Sequence, residues 1–306
     1  LKEISEKAAA ANPAKGSNDQ KIGDFWSMAM DSAKIEADGL KPIQPLLDKV
    51  NAITDVKSLV NTVSDLKKIG SNTLFSDYVY QDAKRSDAIA YKLSQGGLGL
   101  PEREYYFKTD SATINIRNEY VKYITQILTM AGEDATVAAT AAKNILALET
   151  KLATASRKIE DLRDPYKNYN KMAITDLGKM AGNIDWVSYL KNTGVQKVDS
   201  VIVGQPEFFI ALNDALTKTP ISDWKQYVRF NLISDMTPVL PDNYGVANFN
   251  FTKLFSGAKQ RKPRWKRAIQ MEEDAMGEML GQLYVKEFFN ETAKKRYTNM
   301  VEDIRQ

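Results

Sequence analysis

Behind Asn18 and Asp19, either of which can cap a helix, Ile22, Phe25, Trp26, Ala29 and Met30 fall three and four residues apart. That spacing puts them on one face of a helix ending before Gly39. Two shorter helices are predicted from Pro42 to about Ile53 and from Asp55 to Ile69, with Gly70 as the stop. Long helices are expected over 112–131 and 134–157. In the second, Val137, Ala141, Ile145, Leu148, Leu152 and Ala155 form an apolar stripe. The pattern breaks around Asp164-Pro165 and resumes as shorter helices near 173–181 and 184–191. Gln205-Pro206-Glu207 and Pro220-Ile221-Ser222 each start another, and the last long helix begins at Pro263.

Two stretches depart from the helical period. Phe75, Tyr78, Val79 and Tyr80, then Ile89, Ala90 and Tyr91, flank a polar run from Gln81 to Asp87, the mark of a small β-hairpin. Ser200-Val201-Ile202-Val203 is a short strand-like run. Between these lies a glycine-rich loop, Gln95 to Pro101, with Pro101 suited to a first helical position and Glu102 and Glu104 near the positive helix end. No repeat of solenoid period occurs. The expected fold is mainly α, a multi-helix lobe with a small β-hairpin element.

Composition narrows the chemistry more than the pattern does. The 306 residues include no histidine and no cysteine. Ser-His-Asp and Cys-His triads, zinc hydrolase centres and thiol redox chemistry therefore cannot be built from this chain. Carboxylates, lysine, tyrosine, hydroxyls and carboxylate-bound hard metals remain. With 42 basic and 39 acidic residues the net charge is +3, too mild to predict nucleic-acid or membrane-surface binding. No apolar run approaches the roughly 18–20 residues that span a bilayer. At 34.4 kDa and 43% hydrophobic residues, the chain can bury one large core or two ordinary ones.

Each candidate motif has a plain structural explanation beside it. The Gly96, Gly97, Gly99 cluster lacks the lysine and serine of a phosphate loop and the spacing of a dinucleotide fingerprint, so a turn leading into a capped helix accounts for it. Lys259, Arg261, Lys262, Arg264, Lys266 and Arg267 surround Trp265, a patch that could grip a phosphate backbone but reads better as a solvated helix start. Glu272, Glu273, Asp274 and Glu278 lie on the same helix. Di-iron bundles pair such acids with histidine, so here they are expected to pair with Lys266, Arg267 or Gln270, or to face water. The sequons at Asn250 and Asn290 matter only in a source that glycosylates secreted proteins.

Six blocks in order resemble the neprilysin family of zinc endopeptidases, which includes the endothelin-converting enzymes and bacterial PepO-like oligopeptidases. They are Lys21 to Trp26 with Met30-Asp31; Gln95 to Tyr106; Tyr169 to Met172 followed by Ile184-Asp185-Trp186; Trp224 to Leu232; Arg261 to Arg267; and Met276 to Val285. Methionine and serine stand where animal members often carry cysteine, so the resemblance is to a bacterial member.

The resemblance implies a non-catalytic N-terminal lobe of a zinc metalloendopeptidase. Such a lobe encloses the active-site chamber and restricts substrates to peptides. The zinc-binding His-Glu-x-x-His helix is expected in a catalytic domain beyond this chain, so no catalytic residue, metal ligand or cofactor is assigned here, and the fragment is expected to be inactive alone. Residues 1–260 would form the substrate-enclosing lobe and 261–306 a linker or interlobe segment, with Arg264 and Arg267 as contacts to the catalytic domain. Expected partners are that domain and peptide substrates, with no nucleic acid. The resemblance places the parent outside the cytoplasm, as a periplasmic, lipoprotein or secreted enzyme. The rival expectation is a catalysis-free helical binding protein that kept the lobe and lost the protease.

Overall fold

The computed structural model describes residues 1–71 and 73–305. The architecture is mainly α: 65% helical, with fifteen α-helices and one mixed four-stranded sheet among the described residues. Contacts divide the chain into two units, Leu1–Gly39 with Ala258–Gln306, and Leu40–Gly257. The division at Gly39 has no counterpart in the sequence reading, which ran the first lobe unbroken from residue 1.

In the first unit, α1 (Lys2–Ala10) is followed by α2 (Asn18–Met30) and α3 (Ser32–Asp38). The cap of α2 is Ser17, whose hydroxyl accepts the Gln20 N–H at 3.2 Å, while Asn18 and Asp19 fall inside the first turn. The helix expected to run to Gly39 stops at Asp31. The Asp31 carboxylate takes the Lys34 N–H at 2.9 Å and so caps α3 instead.

The Leu40–Gly257 unit opens with a helical turn (Lys41–Ile43), α4 (Gln44–Asn51) and α5 (Val56–Lys67). Asp55 and Ser58 form a reciprocal capping box at the start of α5, with the Ser58 N–H 2.7 Å from Asp55 Oδ1. Strands β1 (Phe75–Asp82) and β2 (Arg85–Gln95) pair antiparallel. Only Ala83 and Lys84 turn the hairpin, so most of the polar run from Gln81 to Asp87 lies in the strands. Then come a helical turn (Arg103–Tyr106), α6 (Ser111–Met130), α7 (Ala135–Ala155), α8 (Ile159–Leu162), β3 (Asn170–Ala173), α9 (Ile174–Met180) and α10 (Trp186–Asn192). Strand β4 (Ser200–Val203), α11 (Pro206–Lys218), α12 (Ile221–Met236) and α13 (Asp242–Ser256) complete the unit. Pro101 precedes the helical turn rather than entering it; Glu102 is the cap, its carboxylate taking the Glu104 N–H at 2.9 Å.

The sheet order is β1-β2-β4-β3, with β2 parallel to β4 and β3 antiparallel to it. Its inner face meets an aromatic cluster: the Phe75 ring lies 5.3–5.6 Å from those of Trp186, Tyr189 and Phe209. Side chains of this size, fully buried, contribute about 1.5–3 kcal/mol each relative to exposure. On α7 the expected stripe faces the core, except that Val137 is exposed and Ala138, one position on, is buried in its place.

Helices α14 (Arg264–Phe288) and α15 (Glu291–Arg305) return to the first unit. Ile4, Ala8, Ile22 and Leu280 form its small core. Helix α14 is interrupted at Met276, where φ is −142° and ψ 30°. No residue of α15 is buried, although Tyr297, Met300 and Ile304 align on one face of it.

Candidate functional site

The glycine-rich loop folds inward onto a buried carboxylate. Helix α7 carries Glu149 between Leu148 and Leu152, so the apolar stripe delivers an acid into the core. Its Oε2 accepts the Tyr106 hydroxyl at 2.7 Å and the Gly99 N–H at 3.3 Å; its Oε1 accepts the Tyr120 hydroxyl at 2.8 Å. Tyr106 also takes the Leu100 N–H at 3.1 Å. Burial pushes the Glu149 carboxyl up to about 7, against these three donors, which favour the anion. Burial likewise drives the Tyr106 and Tyr120 hydroxyls well above their usual range, so both remain donors.

That packing explains the glycines. A Cβ on Gly99 would stand 1.8 Å from the Tyr120 hydroxyl. Gly97 adopts a left-handed φ of 72°, and its carbonyl accepts the Tyr227 hydroxyl at 2.8 Å. The loop's backbone is spent on internal partners rather than turned outward as a phosphate cradle.

A second buried network joins α5, β1, β2, α10 and α12. Lys67 Nζ lies 2.9 Å from Asp77 Oδ1, with both side chains buried, and it also bonds the Phe75 carbonyl. Asp77 Oδ2 accepts the Tyr91 hydroxyl and, at 2.7 Å, that of Tyr189. Asp235 accepts from the Ser71 hydroxyl at 2.7 Å. Burial lowers the Lys67 ammonium and raises the Asp235 carboxyl, each opposed by the neighbouring opposite charge. Neither network is open to a substrate; both are internal bracing.

On the outer face of the sheet, a groove of about 330 Å³ runs beside β1 and β2, with walls from Tyr78, Lys92, Ser94, Asn168, Tyr169 and Gln205. At the hairpin turn, Asp82 is held at about 2 by the Lys84 N–H, with the Lys171 ammonium and the Tyr169 hydroxyl adding to it.

The residues singled out by sequence on α14 lie in the first unit. Arg264 Nε donates to the Ala29 carbonyl at 2.9 Å, at the last turn of α2. Arg267 donates to the Lys262 carbonyl at 2.9 Å. Trp265 is half-buried between the Lys2 and Lys266 ammonium groups, each 5.3 Å from its ring centre. Gln270 pairs with Asp274 at 3.2 Å. Glu272, expected to pair with a base or face water, is buried instead and accepts the Ser5 hydroxyl at 2.6 Å; burial raises its carboxyl. Asn250 and Asn290 are exposed. Among the described residues no three acidic side chains converge as a metal site would require.

Sequence reasoning passed over Glu149, Lys67 and Asp77. An acid on the apolar face of α7 was the available signal for the first. For the ion pair there was none, because its partners are ten residues apart on different elements.

The amino-terminal profile of Peptidase family M13 matches residues 1–306. Mouse endothelin-converting enzyme 1 is 25% identical over 318 residues, covering 100% of this chain and 41% of the relative. The chain thus spans less than half the length of the curated relatives it matches. Among solved structures, the zinc metalloprotease Zmp1 of Mycobacterium tuberculosis in its open state aligns with a TM-score of 0.92 at 28% identity, over 98% of this chain and 47% of that one. PepO from Lactobacillus rhamnosis aligns at 0.83 and 18% identity over 99% of this chain and 49% of its own, a likeness of fold alone.

Proposed function

The chain belongs to peptidase family M13, as its amino-terminal region, and we propose that it serves a zinc metalloendopeptidase as the part that encloses the reaction chamber and admits peptides. The observation that carries this reading is the match over all 306 residues in a chain without histidine or cysteine. Imidazole and thiolate ligands are absent from the sequence, and among the described residues no three carboxylates converge as a catalytic zinc requires. On this reading the chemistry belongs to a catalytic half, and this chain's contribution is steric: it limits what reaches that half.

The first unit supplies surfaces for that assembly. Tyr297, Met300 and Ile304 on α15 are between 52% and 77% exposed, an apolar face suited to a covering domain. The start of α14 offers Arg264 and Arg267 as contacts to acidic groups of the catalytic half.

With zinc and a quenched fluorescent peptide, this chain alone is expected to show no hydrolysis, and co-expression with a family catalytic half is expected to restore it. Chelator-sensitive hydrolysis by the chain alone would overturn the assignment. In the same system, Arg264→Glu with Arg267→Glu is expected to weaken co-purification of the two halves several-fold, as charge reversal across an interface does. Undiminished recovery would remove both arginines from the interface.

A further inference from the structure

We propose that the groove on the outer face of the sheet is a binding site for a small aromatic carboxylate. The site lies within the Leu40–Gly257 unit and does not depend on the peptidase reading.

The groove exists because the sheet is folded over on its outer side. Tyr78, Lys92, Ile202 and Lys171 are register partners across β1, β2, β4 and β3, so their side chains share one face. In a flat four-stranded sheet the two edge strands would stand about 14 Å apart, three spacings of about 4.8 Å. Here the end of β1 reaches the β3 side: the Asp82 carboxylate accepts from the Lys171 ammonium at 3.0 Å and from the Tyr169 hydroxyl at 2.9 Å. Ala83 of the hairpin turn therefore lines the same groove as Ile202 of β4, and Ile202 is only 2% exposed although it lies on the outer face. The Lys84 ammonium, 4.4 Å from the Tyr169 ring centre, holds that ring from its other side. Gly204 keeps the floor open, since a Cβ there would stand 3.3 Å from the Ser94 hydroxyl oxygen.

The groove offers a ligand one cation, one hydroxyl and two rings. Lys92 is the one charged side chain among the residues lining it, and no carboxylate lines it. Asp82, close by, is already spent on Lys171, Tyr169 and the Lys84 N–H. The amides of the wall serve one another: Gln205 donates to Asn168 at 2.6 Å and accepts the Gln95 N–H at 2.8 Å. The Lys92 ammonium has no acidic partner among the described residues and lies 5.0 Å from the Tyr80 ring centre. Ser94, two residues on and on the same face, has a hydroxyl without a hydrogen bond among the described residues. A carboxylate satisfies both, one oxygen towards each. Tyr78 and Tyr169 bring rings from the two edge-strand sides of the sheet, with Ile202 as an apolar floor, a setting that suits a flat ring. One lysine balances the single charge of a carboxylate better than the nearly double charge of a phosphate. At about 330 Å³ the groove is at the small end of ligand sites, about 300–1,000 Å³, and holds one ring with its acid rather than a chain.

The test is fluorine NMR titration of para-fluorophenylacetate, and of its uncharged amide, with this chain. The acid is expected to bind with Kd below about 1 mM and the amide at least about tenfold more weakly. Lys92→Gln is expected to weaken the acid about tenfold and leave the amide unchanged, a split that poor folding would not produce. Tyr78→Ala, at a half-exposed position outside the core, is expected to weaken acid and amide alike by about threefold, as the loss of one ring contact does. The comparison of acid with amide in the parent chain decides even if a variant folds poorly. Equal binding of the two, or acid binding unchanged in Lys92→Gln, overturns the proposal. Displacement of the acid by an equal concentration of inorganic phosphate also overturns it, as the mark of a general anion site. So does tighter binding of a tetrapeptide ending in phenylalanine than of N-acetylphenylalanine, which would give the groove to the end of a chain.

Discussion

Replacing Lys67 with methionine is expected to destabilise the Leu40–Gly257 unit by about 3–5 kcal/mol, the usual consequence of removing one partner of a buried ion pair. Methionine fills similar space, so the loss is not mainly one of packing. It lies in what remains. Asp77, 4% exposed, would keep the Tyr91 and Tyr189 hydroxyls but no cation, and Asp235 would keep Ser71. The Phe75 carbonyl also loses its Lys67 donor, at the point where β1 leaves the core. Urea unfolding followed by tryptophan fluorescence reads the change as a lower midpoint at an unchanged slope. The double variant Lys67→Met, Asp77→Asn is expected to recover roughly half or more of the loss, because asparagine still accepts from both tyrosines without a buried charge. A Lys67→Met midpoint equal to the parent's would show that the pair contributes nothing net.

The elements that periodicity found and those it missed differ in where their stability originates. Helices α6 and α7 are long, amphipathic and capped by Asp110 and Asp134, so local and tertiary preferences agree. Helix α13 was not predicted, and its sequence shows why. Asn243, Gly245, Asn248 and Asn250 are weak helix formers, and the helix rests on burial of Tyr244, Ala247 and Phe251. Phe251 stacks on Tyr123 with ring centres 5.0 Å apart and planes 9° from parallel, a contact with a helix more than a hundred residues earlier. Strand β3 was missed for a related reason. Asn170 and Lys171 have little strand preference, and the ladder partner lies some thirty residues away in β4. The hairpin itself was legible, but not its length. Gln81 to Asp87 carries no alternating apolar pattern to mark how far the strands run, because strands that project beyond the core need no apolar face.

Legibility of the sites followed the same division. The glycine loop was visible as a motif, and a turn was a sufficient account of it. What it turns around was not visible, because Tyr106, Tyr120 and Glu149 converge from three separate elements. Arg264 was singled out for its charge, yet its Nε–H is already given to the Ala29 carbonyl at the end of α2. Charge patterning identifies a basic surface; it does not say which carbonyls that surface already serves. The groove lined by Lys92, Ile202 and Tyr169 left no trace in sequence, since it depends on β2, β4 and the loop after α8 meeting at one end of a sheet.

Glu149 makes the Leu40–Gly257 unit sensitive to pH in a range where this chain has no other usual reporter. Its folded carboxyl titrates at about 7, above the 4.5 of an unconstrained glutamate. Below pH 4.5 the group is protonated in both states, and the stability linked to it is fully present. Between 4.5 and 7 the unfolded chain releases the proton while the folded one keeps it, so stability falls as pH rises and levels off above about 7. Over some two and a half pH units, at 1.36 kcal/mol per unit, the loss is about 3 kcal/mol. Histidine, the residue that would ordinarily mask such a change, is absent. The expected result is a urea midpoint that declines from pH 5 to pH 7.5. In Glu149→Gln that decline should largely disappear, since the amide carries no charge at any pH. Its single oxygen accepts from one tyrosine, and the other tyrosine hydroxyl, on the second oxygen in the parent, can turn to accept from the NH2. Asp235 and Glu272, both raised by burial, titrate in parent and variant alike and cancel in the comparison. A Glu149→Gln profile as steep as the parent's would place the linked proton elsewhere. A flat parent profile would mean that the three donors from Tyr106, Tyr120 and Gly99 outweigh burial and keep the carboxylate ionised inside the core.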